Sequence, residues 1–157
     1  MAESTSNMVE RSLNLTLPGI YSDLIDNPPP FASGQGLGCY LWILSEALIE
    51  ENYGYKMDPN DLSDIDDGSI WGGLKRILFY GSKAKIIDHR RKYLQDWVAP
   101  KRFMIGSDGG EETFFIHLDD SDCEVWAFDL ETGKTSKRFN SIDNYVKYVE
   151  TIGGEDT

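Results

Sequence analysis

Between Arg102 and Phe139 the chain repeats one pattern: a short apolar-rich run, then a cluster of Gly, Asp, Glu or Ser. The runs Arg102–Ile105, Thr113–Leu118, Glu124–Asp129 and Lys134–Phe139 read as strands. Their separators, Gly106–Gly110, Asp119–Asp122 and Glu131-Thr132-Gly133, read as turns. Connections this short cannot carry a crossover, so consecutive strands must pair antiparallel. Phe114, Ile116 and Leu118 alternate with Phe115 and His117, which predicts one face packed on helices, with Trp126 and Phe128 extending the same core.

Around this meander the pattern is helical. Pro18 suits the first position of a short helix in which Tyr21, Leu24 and Ile25 share a face, and Pro28-Pro29-Pro30 stops it. The stretch Ser33–Gly38 is a Gly-rich loop, and Cys39–Ile43 reads as a short strand. Ser45 is placed to cap a helix over Glu46–Tyr53 with Gly54 as its stop. Residues 58–69 carry Asp58, Asp61, Asp64, Asp66 and Asp67 with Pro59 and Gly68, a solvated loop. Leu74–Phe79 reads as a buried strand, and Asp88 as the cap of a helix through Trp97, ended by Pro100. Ser141 caps a last helix with Ile142, Tyr145, Val146, Val149 and Ile152 on one stripe and Gly153-Gly154 at its end. Helices first and a meander later predict an α+β fold: N-terminal helices packed on a mainly antiparallel C-terminal sheet, with a closing helix. With 157 residues and 40% hydrophobic composition the expectation is one domain over 13–152, preceded by a polar, frayed tail over 1–12.

The net charge of −12 is unevenly distributed. Residues 1–74 hold 12 acids and 2 bases, 75–102 hold 2 acids and 9 bases, and 103–157 hold 13 acids and 4 bases. From Gly106 to Glu131 there are nine acids and no Lys or Arg. The candidate partner-binding surface is therefore Asp108, Glu111, Glu112, Asp119, Asp120, Asp122 and Glu124, which would steer a cationic partner. The other reading is a solvated meander whose charges only block edge pairing. So acidic a chain repels nucleic acid and anionic membrane surfaces, so neither is expected as a partner. No run approaches the roughly 18 apolar residues of a spanning helix, and the N-terminus lacks the basic-then-apolar pattern of a leader. The expected location is the cytoplasm.

Little in the sequence points to catalysis. His89 and His117 are the only histidines, and no serine sits in a G-x-S-x-G. Cys39 and Cys123 form no CxxC pair. Asp119-Asp120-Ser121-Asp122 with Glu124 lacks the Gly and the twelfth-position Glu of a calcium loop. Glu111 and Glu112 have nothing apolar nearby to raise a carboxyl pKa. The turn at Gly106–Gly110 lacks the Lys and Ser/Thr of a phosphate loop. His89-Arg90-Arg91-Lys92 reads as a solvated helix face pairing with acidic surface. No catalytic residue, metal or cofactor is assigned, and the expectation is a binding protein rather than an enzyme.

The segment from Lys101 to Ile152 resembles the SUKH superfamily. The likeness is carried by Gly106–Gly110, the Phe114–Asp119 strand, the tryptophan-bearing Val125–Asp129 strand, the Thr132-Gly133 turn and the Ser141–Tyr148 helix. Leu17-Pro18 with Tyr21 and Leu24-Ile25, and Ile43-Leu44-Ser45 running into Glu50-Glu51-Asn52, are similar to the family's two early helices. The family's helix before Leu-Pro is short or missing here, Pro28–Pro30 stand where an Asn-Gly exit is usual, and 70–100 has no family counterpart. The superfamily includes many bacterial toxin-immunity proteins and a fungal regulator of cell-wall synthesis. The resemblance thus implies an immunity protein that masks a secreted, basic, nuclease-type toxin. The alternative it implies is a regulatory scaffold without a toxin partner.

Overall fold

The computed structural model describes residues 3–33, 40–63 and 69–155. The chain is α+β: four strands form one antiparallel sheet, preceded by helices and closed by a C-terminal helix. The helices are α1 (Thr5–Leu13), α2 (Gly19–Asp26), α3 (Ser45–Glu51), α4 (Ile70–Tyr80), α5 (Lys83–Tyr93) and α6 (Ile142–Glu155). The strands are β1 (Arg102–Ser107), β2 (Glu112–His117), β3 (Val125–Asp129) and β4 (Thr135–Phe139). The sheet is a meander, β1-β2-β3-β4, as the turn signals require.

Strand parity gives the sheet two distinct faces. Phe103, Ile105, Phe114, Ile116, Val125 and Ala127 join Tyr21, Ile142, Tyr145 and Val149 in the main core. The Tyr145 hydroxyl donates to the Tyr40 carbonyl, tying α6 to the segment before α3. Phe115, His117, Trp126 and Phe128 face the other way. Trp126 and Phe128 therefore do not extend the main core; they form a second aromatic layer. Its lid is Trp97, in a π-helical turn over Leu94–Val98, edge-on to Phe115 at 5.3 Å and to Phe128 at 5.1 Å. The Arg102 guanidinium lies over the Trp97 and Phe115 rings at 5.6 and 5.3 Å.

Several local expectations are corrected. Residues 5–12 are not a frayed tail but most of α1. Ser4 caps it, accepting from the Asn7 N–H, and Val9 and Leu13, one turn apart, enter the core. The Ser6 N–H and hydroxyl both donate to the Asp26 carboxylate, at 2.8 and 2.6 Å, which locks α1 to the end of α2. Residues 40–43 form no strand; the Trp42 N–H donates to the Ile105 carbonyl of β1. Cys39, residues 34–38 of the Gly-rich loop and residues 64–68 lie outside the described residues. Pro18 is the cap residue of α2, one position before the first helical residue, and Ser45 opens α3 after the cap residue Leu44. Asn52 follows α3 and is buried: its side chain accepts from the Met104 N–H and donates to the Leu48 and Met104 carbonyls. Gly106 and Ser107 continue β1, and α6 runs on through Gly153-Gly154 to Glu155.

The largest correction is in 70–93. Leu74–Phe79 is not a buried strand. It belongs to α4, whose cap Ser69 accepts from the Gly72 N–H at 2.9 Å. The following helix starts earlier than Asp88, because Ser82 caps it by accepting from the Lys85 N–H.

Candidate partner-binding surfaces

In a meander, successive turns lie at opposite ends of the sheet. The seven candidate carboxylates divide accordingly. Asp108, Glu111 and Glu112 lie at the β1–β2 turn, and Asp119, Asp120, Asp122 and Glu124 at the β2–β3 turn. The six residues of β2 separate the two groups by about 17 Å at the usual rise per residue. Each group is brought together; the two are not joined into one patch.

At the first end the turn is built on one carboxylate. Asp108 Oδ1 accepts from the Gly110, Glu111 and Glu112 N–H groups at 3.0, 2.8 and 3.0 Å. Partial desolvation pushes its pKa up, but these donors outweigh it and hold the carboxyl below its ordinary value. Gly109 supplies the positive φ of 88° that the turn needs. Glu112 is paired with Arg138 across the sheet. The β3–β4 turn adds two further acids here, since the Leu130 N–H donates to the Glu111 carbonyl, and Asp129 Oδ1 accepts from the Glu131 and Thr132 N–H groups. Asp129 and Glu131 were outside the predicted set, although the meander's own parity places them at this end.

The second end is organised the same way. Asp120 Oδ1 accepts from the Asp122 N–H at 3.1 Å and Oδ2 from the Glu124 N–H at 2.9 Å. Cys123, buried at a φ of 51°, anchors the turn; burial pushes its thiol up to about 11, so it stays protonated. Glu124 lies 3.8 Å from the Lys137 ammonium. Asp119 and Asp122 are exposed, with no ion pair or side-chain hydrogen bond among the described residues. Next to this turn, His117 packs edge-on against both the Phe115 and the Trp126 rings. Burial and the Arg102 charge lower its pKa, against the pull of Asp119, Asp120 and Glu124. Asp108 and Asp120 are thus spent on the backbone, while Glu111, Asp119 and Asp122 are presented outward.

The basic run of α5 packs against residues 60–61 through neutral acceptors, and the Arg90 charge adds to the Ser63 hydrogen bonds that lower the Asp61 pKa. Arg90 donates to the Asp61 carbonyl at 2.8 Å, and Arg91 to Asn60 Oδ1 at 3.3 Å. Among the described residues no group of three or more His, Cys, Asp or Glu side chains is arranged to hold a metal ion. No described helix is long and apolar enough to cross a membrane.

A surface of different character lies on α4. Ile70, Leu74, Ile77 and Leu78 recur at i, i+4, i+7 and i+8, and Trp71 widens the stripe. This stripe points outward: Ile70 is 83% exposed, Trp71 76% and Leu78 79%. Arg76 alone on this helix is buried, and it donates to the Gly81 carbonyl; Gly72 and Gly73 are half-buried, and Phe79 and Tyr80 are exposed as well. A surface helix normally turns its apolar stripe to the core; α4 leaves its stripe uncovered. The Ser69 cap and the four-residue spacing could have found it in the sequence, but Gly72-Gly73 breaks the helical character of the run.

A scan against protein-family models finds no match, and searches of the curated proteins and of the solved structures find none either.

Proposed function

We propose that this protein is a binding module of the immunity type: it neutralises a cationic, nuclease-type toxin by presenting carboxylates where the toxin expects substrate phosphates. The observation that carries the reading is the β2–β3 turn. Four carboxylates fall within six residues, two of them outward, on a backbone fixed by Asp120. Rigid presentation matters because a preorganised charge cluster speeds encounter without an ordering cost on binding. The resemblance to the SUKH superfamily points the same way. The β1–β2 end supplies a second, smaller contact.

The test is co-purification with the product of a toxin gene adjacent to this one, followed by titration. The double variant Asp119→Lys/Asp122→Lys should weaken binding by about 100-fold, mostly through association rate, and Glu111→Lys by under about tenfold. Unchanged affinity in the double variant contradicts the reading.

A further inference from the structure

We infer that α4 is a homodimer interface, with its outward stripe packed against the same stripe of a second copy about a two-fold axis. The first argument is area. Ile70, Trp71, Leu74, Ile77 and Leu78 are all substantially exposed. At roughly 100–200 Å² of free surface each they present on the order of 700 Å², close to the ~800 Å² per partner of a standard interface. Scattered exposed apolar residues need no explanation, but a contiguous patch of this size on one helix does.

The second argument is charge. In a chain where 42 of 157 residues are ionic, α4 carries only Lys75 and Arg76, and Arg76 is turned inward. On the helix itself the stripe therefore has one exposed charge beside it, Lys75. A cationic toxin finds no carboxylate on this helix. An anionic lipid surface finds a single ammonium on the helix and, although the 75–102 segment is basic, a chain of net charge −12 behind it. A face with so little charge is most complementary to itself, and an isologous contact closes at two copies instead of growing into filaments. The third argument is geometry: the 11-residue helix is about 16 Å long, enough for one helix–helix crossing. The inference goes beyond the toxin reading and is independent of it, because its test contains no toxin.

The test is sedimentation equilibrium on the intact chain from low micromolar to several hundred micromolar. The expected result is reversible association toward twice 17.8 kDa. Because two bodies of charge −12 repel, the dimer should hold or tighten as salt rises. Leu78→Glu and Trp71→Glu, both at exposed positions, should each raise the dissociation constant by at least ~100-fold through burial of a charge, with unchanged far-UV circular dichroism and melting of the monomer. Leu130→Glu, exposed on the β3–β4 turn, should leave association intact. A chain that stays monomeric throughout overturns the inference, whether or not it partitions onto phosphatidylglycerol vesicles. So does a dimer that survives both α4 variants or that Leu130→Glu dissolves.

Discussion

The sheet and helix α4 use apolar side chains in opposite ways. The sheet buries them on both faces, against α2 and α6 on one side and Trp97 on the other, and sends its carboxylates to the turns. Helix α4 buries Arg76 alone and shows Ile70, Trp71 and Leu78 to solvent. The sheet is explained by its own fold. Helix α4 is explained only by something that covers it. An apolar run in a sequence therefore predicts burial, but not burial within the same chain.

Truncation should separate the two regions most sharply. Phe103→Ala removes a fully buried ring at the centre of the main core and should cost about 3–5 kcal/mol of unfolding free energy. Leu78→Ala should stay within about 0.5 kcal/mol in dilute, monomeric protein. Urea titrations of both variants check this, and a comparable loss in both would mean that α4 packs on its own body.

A smaller effect tests the sheet's second face. The folded pKa of His117 lies below the ordinary 6.5. Between the folded pKa and 6.5 the unfolded chain binds the extra proton. The stabilisation is therefore complete above about pH 6.5 and is lost as pH falls through the folded pKa. His117→Gln should flatten the stability profile in that window. An identical profile would place the imidazole in solvent, outside the Phe115–Trp126 layer.

The parts legible in the sequence are those where one period dominates. Glycines and acids set the three turns, their short lengths dictate the meander, and Ser141 marks α6 by accepting from the Asn144 N–H. Parity was decisive and easy to overlook. It sends Trp126 and Phe128 to the face opposite Val125 and Ala127, and it puts Asp108 and Asp120 at opposite ends of β2. Helix α1 was hidden by its polar composition, since only Val9 and Leu13 reveal its buried side. In α4 the run Ile77–Tyr80 is continuous enough to mimic a buried strand, and only the Ser69 cap and the spacing from Ile70 to Leu78 speak for a helix. The outward orientation of that stripe is a property of the packing and is written in no local signal.

The exposure of the apolar side chains of α4 is the claim on which the comparison rests, and side-chain oxidation by hydroxyl radicals tests it most directly. In protein dilute enough to be monomeric, Ile70, Trp71, Leu78 and Phe79 should be oxidised rapidly, while Phe103, Phe115 and Tyr145 are protected. Protection of the α4 side chains in the monomer to the level of Phe103 would contradict the account.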